Sequence, residues 1–191
     1  MKNYQITSWC HHFIREHVKE GDVCIDATAG NGNDTKVLCE LVGETGKVLA
    51  FDIQAQALEH TRIRLQEAGL EKRAQLYLES HTKMGDYAKE ETVSCVVFNF
   101  GYLPGGDHAC ATKGDSSVIA IQEGLRLLKK GGIMSLCIYS GGDSGFEERD
   151  MLLQELKKLD SRKYLVIISS YYNRPNNPPI PVLVVKLGGK A

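Results

Sequence analysis

The stretch Val23-Cys24-Ile25-Asp26-Ala27-Thr28-Ala29-Gly30-Asn31-Gly32-Asn33-Asp34 constrains this fold more than any other part of the chain. It opens as a short apolar strand and passes through a glycine-rich bend into a helical pattern. Glycine lacks a Cβ, so the backbone there can approach a ligand closely and adopt conformations other residues resist. Asp52 then closes a second apolar strand, Val48-Leu49-Ala50-Phe51. Strand, bend, helix, strand and terminal acid make a nucleoside-binding α/β layout. The acid stands where it can accept hydrogen bonds from both ribose hydroxyls.

What is missing narrows the nucleoside. A dinucleotide fingerprint reads G-x-G-x-x-G, but here Gly30-Asn31-Gly32 continues as Asn33-Asp34-Thr35 without a third glycine. A dinucleotide also rests its pyrophosphate on the helix N-terminus. Asp34 would set a carboxylate beside that phosphate, and Asp26 ends the preceding strand. Two acids disfavour a diphosphate. They suit a ligand carrying an ammonium and a sulfonium, namely S-adenosylmethionine. The residues that would hold it are Asp26, Gly30, Asn31, Gly32, Asn33 and Asp52. Ile53 would pack on one adenine face, Gln54 would assist at the ribose, and Ser80 and His81 follow the third strand where such folds hold adenine.

Alternating patterns extend this unit along the chain. Strand patterns run over 23–27, 47–52, 74–79, 93–99 and 132–139, with helical patterns near 34–42, 54–69, 116–130 and 146–159. Ile6, Trp9, Cys10, Phe13, Ile14 and Val18 form one helical face ahead of them, which Gly21 is expected to end. Val118, Ile121, Leu125 and Leu128 predict an inward helix face, with Gly131-Gly132 as its cap. Such alternation gives a parallel sheet with helices on both faces. The end differs, because strand patterns 164–172 and 180–187 are joined by 173–179 alone. No crossover helix fits there, so that pair is antiparallel. The expected fold is therefore α/β and Rossmann-like: a seven-stranded, mostly parallel sheet with an antiparallel last strand, as in class I methyltransferases. A length of 191 residues suits a single methyltransferase domain over 1–191, with an N-terminal helix (1–20) packed on it.

Composition sets limits on partners. Hydrophobic and charged fractions of 42% and 25% are those of a globular protein without a membrane-spanning run. The N-terminus lacks a signal-peptide apolar region, so a cytoplasmic location is expected. Six cysteines with no C-x-x-C pair read as reduced, mostly buried thiols. A net charge of -1 argues against broad nonspecific nucleic-acid binding and leaves room for a local basic patch. Cys10, His11, His12 and His17 invite a metal reading, but Cys10 belongs to the apolar stripe and no second cluster supplies ligands.

The end of the fourth strand carries the second strong signal, Asn99-Phe100-Gly101-Tyr102-Leu103-Pro104-Gly105-Gly106-Asp107-His108. Ligands of open α/β sheets bind beyond the carboxyl ends of the strands. An Asn followed shortly by an aromatic is similar to the Asn-Pro-Pro-Tyr motif of methyltransferases acting on nitrogen, with Phe100-Gly101 in place of Pro-Pro. There the Asn oxygen accepts hydrogen bonds from the attacking amine. Asp107 and His108 are candidate proton acceptors, since an alkylamine is protonated at neutral pH and must lose a proton before it attacks. They read equally well as a cap and a surface residue of the loop. Tyr139 ends the fifth strand, where it walls a pocket or finishes the strand. Asn173, Arg174 and the prolines around them read as turn chemistry or as a nucleic-acid contact.

Taken together, Asp26–Thr35, Asn99–His108, Tyr139-Ser140-Gly141-Gly142 and Asn173 with Asn177-Pro178-Pro179 resemble the MnmM (YtqB-like) family across nearly the whole chain. The resemblance implies an enzyme that methylates the exocyclic amine of 5-aminomethyl-(2-thio)uridine at the tRNA wobble position, yielding the 5-methylaminomethyl nucleoside. It implies S-adenosylmethionine as donor, S-adenosylhomocysteine as product, no metal, and the tRNA anticodon stem-loop as partner, with a second copy of the chain a further candidate. Asn99 would orient the amine. Tyr102, Gly105, Gly106 and Tyr139 would shape the substrate pocket, Asp107 or His108 would take the proton, and Asn173 and Arg174 would face substrate. Arg174 stands where this family is expected to carry Gln. Methylation of ribosomal RNA or of a small-molecule amine, and a noncatalytic S-adenosylmethionine-binding module, stay open as alternatives.

Overall fold

The central strands are buried on both faces, and their successive side chains go alternately to two core layers. The computed structural model describes residues 4–100, 114–140 and 145–188. In chain order these form α1 (Ile6–His17), β1 (Val23–Asp26), α2 (Asn33–Val42), β2 (Lys47–Asp52), α3 (Ala55–Glu67), β3 (Ala74–Leu78), β4 (Val93–Phe100), α4 (Gly114–Leu127), β5 (Leu128–Ile138), α5 (Gly145–Lys157), β6 (Tyr164–Ile168) and β7 (Ile180–Lys186). Two short 3-10 turns, Glu71–Arg73 and His81–Asp86, flank β3. The seven strands are ordered β3-β2-β1-β4-β5-β7-β6. All neighbours pair in parallel except β7, which runs antiparallel to both β5 and β6. This is the expected architecture, with the reversed last strand.

One layer packs Ile25, Phe51, Val96, Phe98, Met134 and Leu136 against Ile121 and Leu125 of α4 and Leu152 and Leu156 of α5. The other packs Cys24, Val48, Cys95, Val97 and Ile133 against Ile14 of α1, Leu38 and Val42 of α2, and Leu65 of α3. Successive strand side chains point to opposite faces. The same alternation therefore carries Asp26, Asn99 and Tyr139 to the face covered by α1 and α2, in phase with Cys24, Val97 and Cys137. The five described cysteines are buried free thiols, and Cys110 lies outside the described residues.

Three expectations are corrected. Helix α4 ends at Leu127 rather than at 130, because Leu128 already pairs with Val93 of β4. Gly131-Gly132 are therefore not a helix cap. Gly131 has φ +77°, and a Cβ on Gly132 would lie 3.0 Å from the Val93 carbonyl oxygen. The two glycines accommodate the irregularity that shifts the register to Cys95 opposite Ile133. Helix α1 ends at His17, and Val18 is already extended. Gly21 instead joins the next turn, its N–H donating to the Val42 carbonyl at 2.8 Å. Strand β6 stops at Ile168, four residues short of Tyr172. Ser169 makes a further bond to the Pro181 carbonyl. The connection beyond contains Pro175, Pro178 and Pro179, which have no N–H to donate to a ladder.

Candidate active site

Asn99 sits one residue before the end of β4, opposite Cys137 of β5. Its backbone N–H donates to Thr28 Oγ1 at 2.8 Å, and its Nδ2 donates to Asp34 Oδ2 at 2.6 Å. The other Asp34 oxygen, Oδ1, meets His11 Nε2 of α1. The end of β4, the bend after β1, the first turn of α2 and the N-terminal helix thus converge on one carboxylate. An amide whose NH2 group is committed to a carboxylate presents its oxygen on the opposite edge as an acceptor.

The bend is held from both sides. Asp26 is fully buried; its Oδ2 accepts from Thr35 Oγ1 at 2.6 Å and its Oδ1 from the Thr28 N–H at 3.2 Å. Burial, and then the charge of Asp34, push its carboxyl up to about 7. Asp26 thus shapes the bend from beneath. Gly30 and Gly32 have φ of +53° and +74°. A Cβ on Gly32 would fall 2.8 Å from the Thr61 Cα of α3, so the residue is glycine for space as well as conformation. Helix α3 fastens the bend further. Thr61 Oγ1 donates to the Gly30 carbonyl at 3.1 Å, Arg64 Nε donates to the Asn31 carbonyl at 2.6 Å, and the Asn31 side chain meets His60 at 3.1 Å. Asn33 is exposed at the start of α2.

Asp52, ending β2, accepts the Gly30 N–H on Oδ2 and the Gln54 N–H on Oδ1, each at 2.9 Å. Ile53 beside it is 58% exposed, an apolar surface free to cover a flat ring. Ser80 accepts the Thr82 N–H at 3.3 Å and caps the turn that begins at His81. The His81 ring stands edge-on to Phe98 and Phe100, and burial holds it below the usual imidazole range. Tyr139 follows β5; its N–H donates to the Phe100 carbonyl at 3.0 Å. Burial, and then neighbouring Cys137, raise its phenol above the ordinary range, which keeps it neutral. Ser140, Arg149, Tyr171, Tyr172 and Arg174 line an open cleft of about 370 Å³. Asn173 and Arg174 are exposed there, and Tyr172 is 98% exposed. Tyr102, Gly105, Gly106, Asp107 and His108 lie outside the described residues.

His11, Thr28 and Asp34 are the members that the residue pattern did not single out for the site. His11 reads from sequence as one of several histidines near Cys10. Its visible signal is position: three residues before Ile14, it flanks the buried stripe of α1. Asp34 reads as a charge disfavouring phosphate, and its pairing with Asn99 spans a separation of 65 residues.

Residues 48–185 match the family described as "Putative rRNA methylase". The chain belongs to that family. The rRNA methylase family match covers β2 to β7, and solved structures extend the likeness to the whole fold. A "putative rRNA-methylase" from Clostridium thermocellum is 41% identical, with a TM-score of 0.94 over 98% of this chain and 100% of that one. A methyltransferase from Streptococcus mutans, crystallised with SAH, is 34% identical, with a TM-score of 0.88 over 97% of this chain and 99% of that one. The chloroplastic tRNA (mnm(5)s(2)U34)-methyltransferase of Arabidopsis thaliana is 35% identical over 181 residues, 90% of this chain. The chain spans 66% of the length of that plant protein. No helix among the described residues is long and apolar enough to cross a membrane.

Proposed function

We propose that this chain transfers a methyl group from S-adenosylmethionine to the exocyclic amine of 5-aminomethyl-(2-thio)uridine at the wobble position of tRNA. The observation that carries the reading is the Asn99 amide. Its NH2 group is tied to Asp34, so its oxygen is the edge offered to an N–H donor at the carboxyl end of β4. The activity for which the plant relative is named supplies the acceptor base.

The residues present fit the donor. Asp52 keeps lone pairs for ribose hydroxyls while its geometry is fixed by Gly30 and Gln54. Ile53 offers one adenine face, with Ser80 and His81 nearby in the fold's adenine region. Asp34, at the start of α2, sets negative charge beside the bend, which favours a ligand with an ammonium and a sulfonium. When bound, S-adenosylmethionine supplies an electrophilic methyl on sulfur. Asn99 then accepts an N–H of the amine and aims its lone pair at that methyl. Holding the two reactants in line supplies most of the rate advantage. The amine arrives protonated, and Asp107 and His108 are the candidate proton acceptors. Tyr139, at the end of β5, walls the pocket. Arg149 and Arg174, beside the exposed Tyr172, suit a phosphate and a stacked base.

The test is methyl incorporation from labelled donor into tRNA carrying the 5-aminomethyl group, into the same tRNA lacking it, and into ribosomal RNA. Label in the first alone supports the reading. Label in ribosomal RNA alone, or equal label in both tRNAs, overturns it.

A further inference from the structure

The Asn99 amide, on β4, is one end of a chain of contacts whose other end is on helix α1. Asp34 is shared: Oδ2 accepts from Asn99 Nδ2, and Oδ1 meets His11 Nε2. Both groups are largely enclosed, the His11 side chain 19% and the Asp34 side chain 14% exposed. Helix α1 is itself fastened. Trp9 Nε1 donates to Ser169 Oγ at 3.0 Å just after β6, Ile14 is buried against the sheet, and the free Cys10 thiol is buried beside that of Cys137 of β5. His11 therefore approaches Asp34 from a fixed platform.

We propose that His11 is a positioning residue of the methyl-transfer site, acting through Asp34 to hold the Asn99 amide with its oxygen toward the acceptor amine. The inference rests on the amine-positioning reading of Asn99. The physical argument is rotational. A carboxylate with one oxygen unclaimed can turn about its Cβ–Cγ bond and bind its neighbours in several ways. With Oδ1 held by His11, the Oδ2 lone pairs face Asn99. The amide then has one favourable orientation, because its own oxygen would be repelled by the carboxylate. An imidazole with a proton on Nε2 donates to Asp34 whether neutral or charged, so the arrangement needs a donor there rather than a cation. Among the described residues, the ionisable groups around this carboxylate are Asp26 on β1, Cys95 on β4, Cys10 and His11 on α1, and Cys137 and Tyr139 at the end of β5. None of them is a lysine or arginine that could replace His11.

A glutamine reaches about as far as histidine and carries an N–H donor; a leucine carries none. We would compare wild type, His11→Gln, His11→Leu and Asp34→Asn, each with and without Asn99→Ala. Thermal melts check folding, and calorimetry measures S-adenosylhomocysteine affinity. Single-turnover rates are measured on tRNA bearing the 5-aminomethyl group. The Asn99 side-chain amide is followed by NMR, assigned through its loss in Asn99→Ala. His11→Leu is expected to lose tenfold or more in the saturating single-turnover rate, with affinity for S-adenosylhomocysteine changed less than about twofold. His11→Gln is expected to recover to within about threefold of wild type. The Leu penalty is expected to vanish in the Asn99→Ala background, since the two changes break one interaction chain. The Asn99 amide signals are expected to move in His11→Leu and Asp34→Asn and to return in His11→Gln.

Unchanged Asn99 amide signals in a folded His11→Leu protein overturn the inference. So does a rate penalty that persists undiminished in the Asn99→Ala background. If wild type fails to methylate the tRNA, the reading of function falls instead, and the NMR result still reports the His11–Asn99 coupling.

Discussion

The Asp52 carboxylate accepts the Gly30 backbone N–H at 2.9 Å, so the acid at the end of β2 and the bend after β1 form one unit. An incoming ribose would meet an acid already aimed by two backbone amides, at Gly30 and Gln54. Such preorganisation limits the ordering cost of binding. Asp52→Ala removes the acceptor for the ribose hydroxyls and loosens the bend. Affinity for S-adenosylhomocysteine, measured by calorimetry, is expected to weaken by about 2–3 kcal/mol. NAD is expected not to bind. Unchanged affinity in the variant, or tight NAD binding to wild type, contradicts the donor assignment.

Asp26 gives stability an unusual pH dependence. Unfolded, its carboxyl titrates near 3.8; folded, burial and then Asp34 push it up to about 7. Between those values the folded state keeps the proton and the unfolded state has lost it. This group's contribution therefore makes the protein less stable as pH rises from about 4 to about 7, and levels off above. Its size is on the order of a few kcal/mol. Asp26→Asn retains an acceptor for the Thr28 N–H and a donor toward Thr35. Urea denaturation at pH 5 and pH 8 is expected to show the variant gaining on wild type at the higher pH. An equal difference at both pH values contradicts the assignment.

Gly32 tests the bend by volume. Its φ is +74°, and an added Cβ would lie 2.8 Å from the Thr61 backbone. Gly32→Ala is expected to lose about 2–4 kcal/mol of folding stability, combining a left-handed backbone cost with a clash against α3. Adding alanine at Gly69, which has φ +67° but nothing within 4 Å, incurs the backbone cost alone. Denaturation midpoints of both variants check this; equal losses would remove the steric component.

Arg174 distinguishes a turn residue from an RNA contact. It is exposed, and it lines the cleft with Ser140 and Arg149. If it contacts a phosphate, Arg174→Ala lowers tRNA affinity and reduces the slope of log affinity against log salt by about one. Binding titrations at several salt concentrations measure this, and an unchanged slope leaves Arg174 with turn chemistry alone.

Much of this was legible in the sequence because its signals are local. The alternation of apolar strands and helical stripes specifies the sheet, and the short 173–179 connection requires an antiparallel end. Asp26, the glycines and Asp52 announce the bend by spacing. The helix α4 boundary is not legible, because Gly131-Gly132 is equally a cap signal and a strand irregularity, and only pairing with Val93 decides between them. The His11–Asp34–Asn99 chain was not legible. It joins three elements through tertiary contacts, and a histidine flanking an apolar stripe looks the same whether it meets solvent or a carboxylate.

Nucleoside mass spectrometry of tRNA after reaction measures the central claim most directly. Transfer RNA bearing 5-aminomethyluridine, or its 2-thio form, would be incubated with this chain and S-adenosylmethionine, then digested to nucleosides. The 5-aminomethyl nucleoside is expected to disappear as the 5-methylaminomethyl nucleoside appears in equal amount. The same conversion by Asn99→Ala is expected to be slower by roughly a hundredfold, with donor affinity nearly intact. A methyl group found on any other nucleoside, with the 5-aminomethyl nucleoside unchanged, would contradict the assignment.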